Sequence, residues 1–175
     1  MNDTLLDALA AELGTLLMSR GWRVTAAESC TGGLVAGAIT ATPGSSAWFE
    51  QSFVTYSNAA KTGRLDVDAA LLREHGAVSQ PVAEAMARGA LSMAAADVSV
   101  AITGIAGPGG GTPGKPVGMV CFAWAIREGG VASATRHFDG DRAGIRRASV
   151  IVALEGVIEC VRAGGGVHEA ARMPG

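Results

Sequence analysis

Residues 22–40 read WRVTAAESCTGGLVAGAIT, and the change of pattern within this stretch decides the fold. Trp22 to Ala27 is a short strand, Ser29-Cys30-Thr31-Gly32-Gly33 breaks it, and Leu34 to Thr40 resumes as an apolar run at helical spacing. Upstream, Leu5, Leu6, Leu9, Leu13, Leu16 and Leu17 form a helical stripe over residues 4–20, closed by Arg20-Gly21. Downstream, the Pro43-Gly44 turn leads to a second strand, Ser52 to Ser57, and a short helix from Ala59 to Leu65. Residues 79–95 form a helix with Ser79 as N-cap and Pro81 in the first turn. Val98 to Thr103 is a buried strand. Val117 to Ile126 and Ala132 to Phe138 form a hairpin turning at Glu128-Gly129-Gly130, and Asp141 caps a last helix that runs to about Val161.

Helices and strands alternate early and a hairpin comes late, which predicts an α/β fold: one domain in three layers, an α/β/α sandwich around a mixed sheet. The domain is expected to span residues 1–163, with 164–175 as a patternless, frayed tail. The length of 175 residues, 49% of them hydrophobic, suffices for a core without disulfide or metal staples.

Charge and cysteine content exclude several functions. Acidic and basic residues number 16 and 14, a balance that provides no basic field for nucleic acid or anionic membrane. Cys30, Cys121 and Cys160 are an odd set without CxxC or Cys/His spacing, so neither a disulfide framework nor a structural zinc site is expected, and a reducing cytoplasm fits. Asp3, Asp7 and Glu12 stand where a signal peptide would be basic or apolar, and no apolar run reaches the ~20 residues of a membrane span.

Four segments have residues suited to chemistry. The turn at Glu28 to Gly33 places backbone N–H groups at a helix start, where an anion can sit; equally, Ser29 or Thr31 can cap the helix while the glycines allow close packing. Cys30 shares that turn, but His75, His137 and His168 belong to no motif that would activate it, and it reads as a packing thiol. The second segment joins Pro43-Gly44-Ser45-Ser46 to Tyr56-Ser57-Asn58-Ala59-Ala60-Lys61. A serine hydroxyl needs a base, and a desolvated lysine of lowered pKa is one; Lys61 is one of only two lysines, although its spacing fits no SxxK motif. The third, Thr103-Gly104-Ile105-Ala106-Gly107, is a strand end spilling into glycines. Beyond it, Gly109 to Lys115 imitates a P-loop, but Pro116 occupies the position of the magnesium-binding hydroxyl and a strand follows where a helix is required. The fourth, Gly140-Asp141-Arg142 with Arg146 and Arg147 one turn on, is suited to phosphate or carboxylate binding or to helix-face salt bridges.

Taken together and in this order, AESCTGG, PGSSAWF, VTYSNAAK, HGAVSQPVAEAMA, ITGIAGPGGGTPGKPVG and GDR resemble the C-terminal domain family of the competence/damage-inducible protein CinA. The likeness covers residues 5–160 and is greatest to its stand-alone nicotinamide-nucleotide amidohydrolases. It implies hydrolysis of the carboxamide of nicotinamide mononucleotide (NMN) to nicotinate mononucleotide and ammonia, in pyridine-nucleotide recycling, with no metal or cofactor. It implies a serine–lysine amidase: Ser46 as nucleophile, Ser29 as the alternative, Lys61 as base and Tyr56 assisting proton transfer. Thr31, Gly32, Gly33, Thr103, Gly104, Gly107 and Arg142 would bind the nucleotide. The implied partners are the small-molecule substrate and further copies of the chain, in a homodimer or larger, without nucleic acid or membrane. The competing expectation is a non-catalytic module that binds a nucleotide or phosphosugar.

Overall fold

The computed structural model describes residues 3–164. The element order is α1 (Thr4–Arg20), β1 (Val24–Glu28), α2 (Leu34–Thr40), a 3₁₀ turn (Ser45–Ala47), β2 (Phe49–Val54), α3 (Asn58–Leu65), α4 (Ala69–His75), α5 (Gln80–Met93), β3 (Val98–Gly104), β4 (Met119–Ile126), β5 (Val131–His137) and α6 (Arg142–Arg162). The five strands form one sheet in the order β2-β1-β3-β4-β5. β1 runs parallel to both β2 and β3, whereas β4 and β5 add antiparallel. The fold is the expected three-layer α/β domain with a mixed sheet.

Right-handed crossovers determine the layers. From β1 the chain steps one way to β2 through α2, then back past β1 to β3 through α3, α4 and α5. Two right-handed steps in opposite directions must lie on opposite faces of the sheet. One face packs Val24, Ala26, Val100, Ile102, Phe122 and Trp124 with α1, α2 and α6. The other presents Ala27, Ala101, Cys121, Ala123 and Ala125 to α5. Trp124 lies directly against α6: its Nε1–H donates to Ala153 O at 3.1 Å, and a Cβ on Gly156 would come within 2.2 Å of the indole.

Three local expectations need correction. β2 is Phe49–Val54 rather than Ser52 to Ser57. The polar run Glu50-Gln51-Ser52 resembles a loop, but β2 is an edge strand, where outward polar side chains are tolerated; Glu50 pairs there with Arg23 at 2.8 Å. The helix α4 was not anticipated, although Asp68 caps it by accepting from Ala70 N at 2.7 Å and Gly76 ends it. Ser79 makes no side-chain cap on α5; its hydroxyl donates to Gly76 O instead, at 2.9 Å. Asp141 does cap α6, accepting from Gly144 N at 2.8 Å. The tail beyond Gly164 lies outside the described residues.

Candidate active site

The connection direction reverses between β1 and β3, and the region beyond the carboxyl ends of strands at such a reversal is the usual position of a ligand in an open α/β sheet. The chain leaving β1 there is the turn Ser29-Cys30-Thr31-Gly32-Gly33. Gly32 and Gly33 take φ of +58° and +98°, left-handed values that residues with a side chain rarely adopt. The parallel neighbour β2 ends at Val54, and the chain turns through Thr55 and Tyr56 into α3. Ser57 caps α3 by accepting from Ala60 N at 3.0 Å.

That turn places Lys61 inside the protein, at 1% exposure. Its Nζ lies 2.9 Å from Ser29 Oγ, 2.8 Å from Thr55 O and 3.4 Å from Tyr56 O. The two carbonyls can only accept. Nζ donates to both and to the Ser29 hydroxyl; an amine that has lost its proton would keep two N–H groups for the carbonyls and turn its lone pair to that hydroxyl, the one neighbour with a proton to yield. Burial pushes the lysine below its ordinary value of 10.5, with nearby Cys30 opposing in part. Burial has the opposite effect on the Cys30 thiol, which rises to about 11 and stays protonated. The packing reading of Cys30 agrees with this.

Glu28 was missed by the sequence reading as a functional residue. Fully buried at the end of β1, its carboxylate accepts from Gly33 N (2.9 Å), Val35 N (3.1 Å), Ala36 N (3.0 Å) and Ser52 Oγ (3.0 Å). The anion foreseen at this helix start is thus the chain's own. The signal was present: an acidic residue six positions before a helix whose N-cap, a glycine, has no side chain to accept from it.

The other expected site residues fall into three positions. Ser46 lies exposed in the 3₁₀ turn before β2, whereas Lys61 follows β2; the six-residue strand puts roughly 20 Å between the two ends. The structure therefore brings Ser29, and not Ser46, to Lys61. Tyr56 meets Lys61 through its carbonyl, while its exposed phenol accepts from Arg142 Nη2 at 3.1 Å. Arg142 also donates through Nη1 to Gly107 O at 2.8 Å, tying the glycine-rich loop to the start of α6 and to the segment after β2. Gly104 ends β3 opposite Val120. Thr103 is buried and its hydroxyl donates to Ala77 O at 2.8 Å. Thr31 is fully buried, and its Oγ1 has no hydrogen-bond partner. The P-loop imitation is a tight turn bridged between Thr112 and Lys115, with Lys115 Nζ donating to His75 O at the end of α4. Among the described residues no cluster of three or more His, Cys, Asp or Glu is placed to hold a metal ion, and no helix is long and apolar enough to cross a membrane. Cys30, Cys121 and Cys160 are all free and buried.

Known proteins share this class of three-layer α/β domain. The chain belongs to the family described as the CinA C-terminal domain, whose model matches residues 6–161. It is 53% identical over 154 residues to a Pseudomonas putida protein named nicotinamide-nucleotide amidohydrolase PncC, covering 88% of this chain and 96% of that one. The Escherichia coli K12 protein of the same name is 51% identical over 155 residues, covering 89% and 94%. Among solved structures, a competence/damage inducible protein from Agrobacterium tumefaciens superposes with a TM-score of 0.87 at 47% identity, covering 89% of this chain and 94% of that one.

Proposed function

We propose that this chain is an amidohydrolase that converts NMN to nicotinate mononucleotide and ammonia, with Ser29 as nucleophile and Lys61 as base. The observation that carries the reading is the buried Lys61 amine, 2.9 Å from the Ser29 hydroxyl, with carbonyls as its other partners. About half identity to nicotinamide-nucleotide amidohydrolases along nearly their whole length supports the substrate. Ser29 Oγ attacks the carboxamide carbon while its proton passes to Lys61 Nζ. The carbonyl π pair moves onto oxygen. Lys61 then returns the proton to the amide nitrogen, and ammonia leaves an acyl-Ser29 ester. Water, deprotonated by Lys61, opens that ester to nicotinate mononucleotide.

Thr31, Gly32, Gly33, Thr103, Gly104, Gly107 and Arg142 hold the nucleotide in this reading. Because Glu28 occupies the start of α2, Arg142 with the Gly107 loop is the position favoured for the phosphate. The exposed apolar side chains Leu34, Val54, Tyr56 and Val117 support assembly into a homo-oligomer, which light scattering would reveal. Three reduced thiols fit action in the cytoplasm.

The test is incubation of the purified chain with NMN in the presence of EDTA, following ammonia and nicotinate mononucleotide, alongside Ser29→Ala, Ser46→Ala and Lys61→Ala. Turnover that survives Ser46→Ala and disappears in the other two is expected. A folded wild-type chain that binds NMN without releasing ammonia would overturn the reading in favour of a binding module.

A further inference from the structure

We propose that Arg146 is a positioning residue for this reaction: it locks the Cys30–Thr31 peptide so that the Thr31 N–H is held free as the donor for the tetrahedral oxyanion. The inference rests on the Ser29 reading above and adds to it a residue on a distant helix.

Arg146 lies one turn into α6. Its Nε donates to Cys30 O at 3.1 Å and its Nη2 to Thr31 O at 2.8 Å, a two-pronged hold on successive carbonyls of the nucleophile's turn, reaching across 116 and 115 residues of sequence. A peptide unit is planar and trans, so its C=O and N–H point in opposite directions. Holding the Cys30 carbonyl against the guanidinium therefore directs the Thr31 N–H the other way. Ser29 N donates to Ile102 O, Gly32 N to Ser29 O and Gly33 N to Glu28 Oε2, which leaves only the Cys30 and Thr31 amides of the turn without an oxygen acceptor among the described residues; of these two, the Thr31 N–H is the one whose peptide Arg146 holds. Among the described residues the Thr31 N–H has no acceptor, and the Thr31 hydroxyl is buried without a partner as well. Two unpartnered polar atoms on one fully buried residue, two positions after a nucleophile, are a built deficit that an incoming oxygen would fill.

The partner choice of Arg146 sharpens the point. Arg147, its neighbour, is paired with Asp3, whereas among the described residues Arg146 is bound to carbonyls and to no carboxylate. Its charge is left uncancelled behind the turn. It polarises the peptide whose N–H faces forward and adds positive potential where negative charge develops.

The test uses the full-length chain with Arg146→Lys and Arg146→Ala, and Arg147→Ala as control. Lysine retains the cation and the aliphatic stem but cannot fork onto two carbonyls, so it decides the matter if the alanine variant fails to fold. The kcat for ammonia release from NMN is expected to fall by up to about 100-fold, towards what loss of an oxyanion donor costs. KM and calorimetric affinity for nicotinate mononucleotide should move less than about threefold, the mark of an interaction made in the transition state. The alkaline rise of the pH–rate profile, set by Lys61, should stay in place. A folded Arg146→Lys with wild-type kcat overturns the proposal, as does an equal loss of kcat and product affinity or a displaced pH profile. A wild-type chain that releases no ammonia removes the amidase reading and this inference with it; turnover undiminished by either Arg146 variant removes the inference alone.

Discussion

Lys61 is unusual for a buried lysine in having oxygens rather than a carboxylate around it, and its behaviour with pH follows from that. Its folded pKa lies below 10.5, with burial as the main cause. The proposed base must be neutral to act, so kcat/KM should climb with pH and level off once pH passes the folded value, as a pH–rate profile would show. The same shift affects stability. Between the folded value and 10.5 the unfolded chain holds a proton that the folded chain has shed, so stability increases with pH across that window and is lost as pH falls through the folded value. Urea unfolding at a series of pH values should show this slope in wild type and its loss in Lys61→Met. Lys61→Ala and Ser29→Ala should each cost at least about 10³-fold in turnover, the range of a positioned base or nucleophile, while Ser46→Ala should stay close to wild type. Lys61 was legible in the sequence as a rare lysine after a strand. Its partner was less so, because the Ser29 contact spans 32 residues and depends on which end of β2 each serine occupies. Residue type names both serines, and only the β1–β2 register separates them.

At the scale of elements, the turn after β1 is held from two sides, by Glu28 through its N–H groups and by Arg146 through its carbonyls. Glu28→Gln keeps the shape but exchanges a two-oxygen acceptor for one oxygen and a donor facing backbone N–H groups. A loss of about 2 kcal/mol in urea unfolding is expected, in line with charged hydrogen bonds broken in a buried setting. Packing of α6 on the sheet gives a second case. Gly156→Ala puts a methyl 2.2 Å from the Trp124 ring, and relief by shifting helix or indole should cost about 1–3 kcal/mol, also measurable in urea. The long elements could be read from the sequence: α1 from its leucine stripe, α6 from its Asp141 cap, β3 and β4 from their apolar runs. What escaped had a physical reason. α4 is seven residues long, too short for periodicity to show, and only its Asp68 and Gly76 ends reveal it. β2 is an edge strand whose outward positions are polar, so its start reads like a loop. Ser79 looks like a cap, but its hydroxyl turns back to Gly76 O.

Across the whole molecule, the site draws on both sides of the sheet: Lys61 reaches Ser29, at the end of β1, from the α3–α5 side, and α6 grips the serine's turn from the opposite face. Amide hydrolysis by such a pair draws on no metal, so turnover in EDTA is expected to equal turnover without it. The site also depends on both layers staying docked, and the distribution of aromatic residues makes that separable by optics. All three tryptophans belong to one layer: Trp48 and Trp124 are buried in the core beneath α1, α2 and α6, and Trp22 packs against it. The core beneath α3, α4 and α5 contains none. Intrinsic fluorescence therefore reports on the layer that carries Arg146 and is nearly blind to the one that carries Lys61. Emission, far-ultraviolet dichroism and ammonia release should vanish together on titration with denaturant if the domain melts as a unit. If the lysine layer loosens first, catalysis will fade while the tryptophans still glow blue.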